Sequence, residues 1–127
     1  MCSERTLPDR RHSWRQKANI AGVVVYLTCG EHDDGALGEI FVDVSRAGSA
    51  LRAVMDAFAR TFSVALQHGT PLNVLVECNK DHGFLPCGAV KSEGSGVKSC
   101  ASIVDWVAKT LEETYLAKTD SSSTRRL

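Results

Sequence analysis

The sequence predicts an α+β fold, and three observations carry that prediction. A β-branched apolar run at 18–29 is followed, after a turn, by an alternating run at 37–44. A long segment beginning near residue 49 then repeats apolar residues at helical spacing. A second helical pattern occupies 100–117. Together they imply an N-terminal antiparallel β-hairpin packed on a long central helix. A short helix, a long glycine-rich loop and a C-terminal helix complete the expected domain.

Residues 1–16 are polar and rich in arginine, with Arg5, Arg10, Arg11, Arg15 and an early Pro8. RTLPDRR has neither a helical nor a strand period, so a basic extended arm is expected, pinned to the domain by Trp14. ANIAGVVVYLTC at 18–29 predicts one strand. GEHDDGA at 30–36 is a turn cluster, and its Asp34-Gly35 pair suits a hairpin. In LGEIFVDV at 37–44, Ile40, Val42 and Val44 share one face, with Glu39, Phe41 and Asp43 on the other.

The next element is the clearest. Leu51, Val54, Met55, Phe58, Phe62, Ala65 and Leu66 form one apolar stripe. Ser49 offers a hydroxyl to the first turn, Gly69 a left-handed ending, and Pro71 a stop. Thr70 as cap and Pro71 at the first helical position then predict a short helix through TPLNVLVEC. Residues 79–99 mix glycines, Pro86, Lys, Asp and Ser, and read as a long loop of the kind that often carries function. In the last helix Ile103, Val107, Leu111 and Tyr115 form the stripe, and Lys109 can pair with Glu113 one turn on. KTDSSSTRRL has little to bury, so 118–127 is expected to be a disordered tail after a domain spanning 17–117.

Composition narrows the function. The 127 residues suit one domain, with 43% apolar and 24% charged residues. Fifteen basic residues balance fifteen acidic ones, which gives no general drive toward nucleic acid or anionic membrane. No apolar run approaches the roughly 18 residues of a membrane span. The five cysteines are odd in number, widely spaced and without a C-x-x-C pair. With no export signal, they read as reduced thiols of a cytoplasmic chain.

Several motifs in order resemble one family. RTLPDRR at 5–11, GALGEIFVDVSRAGSALRAVMDAFARTFSVALQHGTPLNVLV at 35–76, an F-x-P-x-G pattern at Phe84, Pro86 and Gly88, and SIVDWV at 102–107 are similar to the TSCPD domain. That domain is the C-terminal module of adenosylcobalamin-dependent, class II ribonucleotide reductases. The resemblance implies a link to deoxyribonucleotide synthesis for DNA replication or repair. In the family, a cobalamin-derived thiyl radical and a cysteine pair act in a barrel upstream of this module. The chain has no room for that barrel, so the resemblance implies an accessory module that does not itself bind adenosylcobalamin. A reductase catalytic chain is the implied partner.

Chemistry of its own finds thinner support. Cys78, His82, Cys87 and Cys100 lie in the order C-x3-H-x4-C-x12-C and form a possible metal or redox group, although this is no standard zinc spacing. Asp33 and Asp34 are turn formers first, and His68 suits a helix C-terminus. The expected working surface is the loop and the outward hairpin face, with Phe41, Phe84 and Pro86 as its apolar centre. An independent interaction or nucleic-acid-binding module using the basic arm remains the alternative.

Overall fold

A computed structural model describes residues 4–116. Its elements are β1 (Ser13–Ile20), β2 (Val23–Glu31), β3 (Leu37–Val44), α1 (Ser49–Gln67), α2 (Leu72–Asn79), β4 (Gly88–Lys91), β5 (Ser99–Cys100) and α3 (Ile103–Leu111). A π-helical turn, Glu112–Leu116, extends α3. The fold is α+β, with one five-stranded antiparallel sheet in the order β3-β2-β1-β4-β5.

The run at 18–29 is two strands, not one. The chain reverses at Ala21 and Gly22, whose φ values of 50° and 93° are those of a tight two-residue hairpin turn. Asn19 Oδ1 accepts from Gly22 N–H at 2.8 Å and fixes the turn. Ile20 therefore pairs with Val23, and β1 extends back to Ser13, inside the stretch read as arm. The hairpin becomes a three-stranded meander in which Ala18, Ile20, Val25, Leu27, Ile40 and Val42 bury one face. Beyond it, β4 and β5 interrupt the span read as a loop, and β4 joins β1 through Asn19–Lys91 and Ile20–Val90.

Helix α1 matches the expected span, and Gly69 (φ 96°) follows it in the left-handed conformation. Two details differ. Gly48, not Ser49, occupies the N-cap and contributes no side-chain bond. Val54 is 58% exposed, so the buried stripe is Met55, Ala59 and Phe62, flanked by half-buried Leu51, Phe58 and Leu66. Helix α2 begins at Leu72 with Pro71 as its cap, one residue later than Thr70 and Pro71 suggested.

The most enclosed helix is α3 rather than α1. Ile103, Val104, Asp105, Trp106, Val107, Ala108, Thr110 and Leu111 are all buried, leaving only Lys109 partly open. A helix apolar around most of its circumference belongs inside a core. Lys109 pairs with Asp105 at 3.0 Å, not with Glu113. Glu113 instead accepts from Ser95 Oγ at 3.1 Å and from the N–H of Gly96. The tail at 118–127 and Cys2 lie outside the described residues.

Strand β3 is an edge of the sheet, and α1 shields it. Ser63 Oγ accepts from Ile40 N–H at 2.9 Å and lies 3.2 Å and 2.8 Å from the carbonyls of Ile40 and Ala59, either of which takes its proton. Gln67 Nε2 donates to Gly38 O at 3.0 Å. These side chains occupy positions where another strand would bond, which protects the edge from pairing with a second chain.

Candidate functional site

A polar knot at the start of α3 positions the segment that carries Phe84 and Pro86. Ser102 caps the helix by accepting from Asp105 N–H at 3.0 Å, and its own hydroxyl donates to His82 O. The Asp105 carboxylate accepts from Asp81 N–H at 2.6 Å and Ala101 N–H at 2.7 Å, and pairs with Lys109. Burial acts to raise the Asp105 pKa. The N–H donors of Ala101 and Asp81 and the Lys109 ammonium outweigh it, and hold the carboxyl below its usual range. The loop is thereby stitched to α3 by one buried side chain.

Around this knot the predicted thiol group disperses. Cys78 is exposed on α2, Cys87 is half-buried just before β4, and Cys100 is buried on β5. His82 is exposed, with its ring 6.0 Å from Phe84 in an edge-to-face contact. Gly88, not Cys87, pairs with Cys100 across the ladder. Among the described residues no three His, Cys, Asp or Glu side chains converge as metal ligands. Burial, and then Asp105, push the Cys100 thiol up, and burial with Glu31 pushes Cys29 up further, so both resist becoming thiolates.

The three residues expected to form one apolar centre are also separated. Phe41 lies on β3, is 52% exposed and stands opposite Thr28. Phe84 donates its N–H to Ala101 O at 3.0 Å beside β5, at the other end of the sheet, and packs half-buried against the core. Pro86 follows a cis peptide bond in the same segment, next to Leu85, which is 79% exposed. Four strand spacings of about 4.8 Å put roughly 19 Å between the two sheet edges. They are two patches, one on the meander and one on the loop.

The meander patch stands on paired strands. Arg15 stacks over Tyr26 at 4.3 Å and reaches Asp43 at 3.9 Å, beside Phe41 and Thr28. Behind Phe41 a groove of about 330 Å³ runs between β3 and α1, with Ile40, Val42, Ala59 and Val64 in its walls and Asp43, Asp56 and Arg60 at its rim. The arm lies along the domain, and two of its arginines are paired. Arg5 meets Asp34 at 2.9 Å and Arg11 meets Glu39 at 3.0 Å. Such pairing lowers the positive potential that a nucleic-acid interface needs.

Sequence reasoning anticipated Trp14 as an anchor but not its partners. Trp14 Nε1 donates to Tyr115 Oη at 2.8 Å, and Tyr115 donates to Glu31 Oε2 at 2.5 Å. Burial, followed by the bond to Glu31, raises the Tyr115 pKa, so the phenol stays a donor through neutral pH. Asp105, Ser63 and Gln67 were also missed. The only available signals were Ser-x-x-Asp at 102–105, a capping pattern, and two polar residues four apart on α1.

Comparison with known proteins agrees with the motif order. The TSCPD domain matches residues 4–115. A vitamin B12-dependent ribonucleotide reductase of Bradyrhizobium diazoefficiens is 41% identical over 120 residues, covering 94% of this chain and 10% of that protein. The corresponding figures are 42% over 114 residues (90% and 9%) for the enzyme of Agrobacterium fabrum and 35% over 116 (91% and 11%) for that of Rhodopirellula baltica. The chain thus spans about a tenth of these relatives. No solved structure matches significantly.

Proposed function

This chain belongs to the TSCPD domain family, and from that membership we propose that it is an accessory module of vitamin B12-dependent ribonucleotide reduction that works by binding a reductase catalytic chain. The observation that carries the reading is the open sheet face around Phe41, a large exposed aromatic on a rigid strand beside a lined groove. Exposed aromatics of this kind commonly anchor protein interfaces. Phe84, Leu85 and Pro86 supply a second contact on the loop. The catalytic machinery belongs to the partner, and adenosylcobalamin acts there. The buried, protonated thiols of Cys29 and Cys100 suit packing rather than electron relay. Cytoplasmic residence follows from the same reading, and no helix among the described residues is long and apolar enough to cross a membrane.

The test of binding without catalysis is direct. Calorimetry of the isolated chain with adenosylcobalamin is expected to give no micromolar affinity. Assays with each ribonucleoside diphosphate and a dithiol are expected to give no turnover above a boiled control. Tight cobalamin binding or turnover would overturn the reading. The alternative, a nucleic-acid-binding module, predicts affinity that falls steeply with salt. The paired arginines of the arm argue against it.

A further inference from the structure

The open face of the sheet carries its charges unevenly. Residues directly opposite one another in a ladder share a face, and the register sorts them into rows. One row runs Lys17, Tyr26, Asp43, and the next runs Arg15, Thr28, Phe41. Asn19 carries the same face on to β4, where it stands opposite Lys91. The other face of these strands is the one closed by the buried Ala18, Ile20, Val25 and Leu27. On the open face the exposed cations therefore lie on β1 and β4, while Phe41 and Asp43 lie on β3. Three strand spacings, roughly 14 Å, separate β4 from β3.

Two features give the basic side a definite chemistry. Lys17 and Lys91 are exposed and form no ion pair among the described residues. Arg15 is positioned but not committed. Its guanidinium sits 4.3 Å from the centre of the Tyr26 ring, and such a contact steadies the group while its N–H donors stay available. Asp43 is 3.9 Å away, beyond hydrogen-bond reach, and both side chains are more than half exposed. A solvent-screened pair of that kind is worth little, so an incoming carboxylate can take the guanidinium with two parallel hydrogen bonds.

We propose that the partner surface seated on this face is acidic. An apolar side chain of the partner meets Phe41, and Asp or Glu side chains beside it meet Arg15, Lys17 and Lys91. The inference rests on the reading that a reductase chain docks here, and it adds the chemistry of the contact. Complementary charge of this kind fixes orientation and speeds encounter. The same layout selects protein over nucleic acid. A single strand stacked on Phe41 would carry its phosphates past Asp43, two residues along β3 and exposed to solvent. A protein segment can place its carboxylates on the β1–β4 side alone.

The experiment measures binding of the full chain to a vitamin B12-dependent reductase lacking its own TSCPD region, at low and at high salt. It compares wild type with Lys17→Glu/Lys91→Glu and with the milder Lys17→Gln/Lys91→Gln, all at exposed positions that leave the core intact. Wild-type affinity is expected to fall as salt rises. At low salt the double reversal is expected to weaken binding about tenfold, chiefly through slower association, and to flatten the salt dependence. The glutamine pair is expected to lie between the two. Wild-type binding that both variants leave unchanged would overturn the proposal while docking itself stood. No wild-type binding would overturn the docking reading and the proposal with it. A single-stranded oligothymidylate that binds the wild type and displaces the reductase would overturn the choice of an acidic protein surface.

Discussion

The meander with α1 and the loop with α3 are held together by different physics. In the first, β1 to β3 alternate apolar and polar residues, and Met55, Ala59 and Phe62 close over the edge. Its cohesion is spread over many contacts in one shared core, so the loss of one lowers the stability of the whole domain. In the second, residues 80–101 contain little regular structure, and a single buried carboxylate ties Asp81, Ala101 and Lys109 to the helix start. A spread apolar interface degrades gradually, whereas a polar knot fails when one member goes, because its partners are left buried and unpaired.

The largest effect expected in the meander half is at Phe62, which is 3% exposed and makes an edge-to-face contact with Phe58 at 5.7 Å. Phe62→Ala is expected to cost about 3–5 kcal/mol in urea unfolding. The matching test of the loop half is Asp105→Ala, expected to cost about 3 kcal/mol because the N–H groups of Asp81 and Ala101 and the Lys109 ammonium lose their buried acceptor. The two should differ in kind. Hydrogen exchange in Phe62→Ala should rise throughout the molecule, while in Asp105→Ala it should rise most at 80–101. A uniform rise in both would erase the distinction between the halves.

The knot also sets a pH dependence. The folded Asp105 pKa lies below its unfolded value, so its contribution is fully present above the unfolded carboxylate range near pH 4 and is lost as pH falls through the folded value. The acid-side decline in the urea midpoint should therefore flatten in Asp105→Asn, and an unchanged decline would show that other carboxylates dominate it. A smaller contrast lies within α1. Phe58→Ala should cost about 1–3 kcal/mol because the ring is half-buried, whereas Val54→Ala should stay within about 0.5 kcal/mol. Equal costs would mean that the stripe faces the core at Val54 after all.

The same contrast explains what the sequence could reveal. Periodicity exposes elements whose burial is regular, so α1, β3 and the alternation of Ile40, Val42 and Val44 were legible. It failed at Ala21-Gly22, because the flanking residues are apolar on both sides and alanine is an unusual occupant of a left-handed turn position. It failed again at β4 and β5, which are four and two residues long and exist because β1 offers them a partner. Lys109 read as the partner of Glu113 because helical spacing alone cannot tell that Asp105, on the preceding turn, is buried. Phe41, Phe84 and Pro86 were grouped by chemistry, and only the strand order reveals that they sit on opposite edges. The cysteines were grouped by proximity in sequence, and the fold distributes them over α2, the segment before β4, and β5.

The central claim is that the open meander face, more than the loop, meets a reductase chain. Hydrogen exchange of this chain should be measured alone and mixed with a vitamin B12-dependent reductase lacking its own TSCPD region, for wild type and Phe41→Ser. The expected result is slowed exchange along β2 and β3 and in the facing turns of α1, abolished by Phe41→Ser while the fold persists. No slowing on any element, or slowing confined to 82–88 and indifferent to Phe41, would contradict the account.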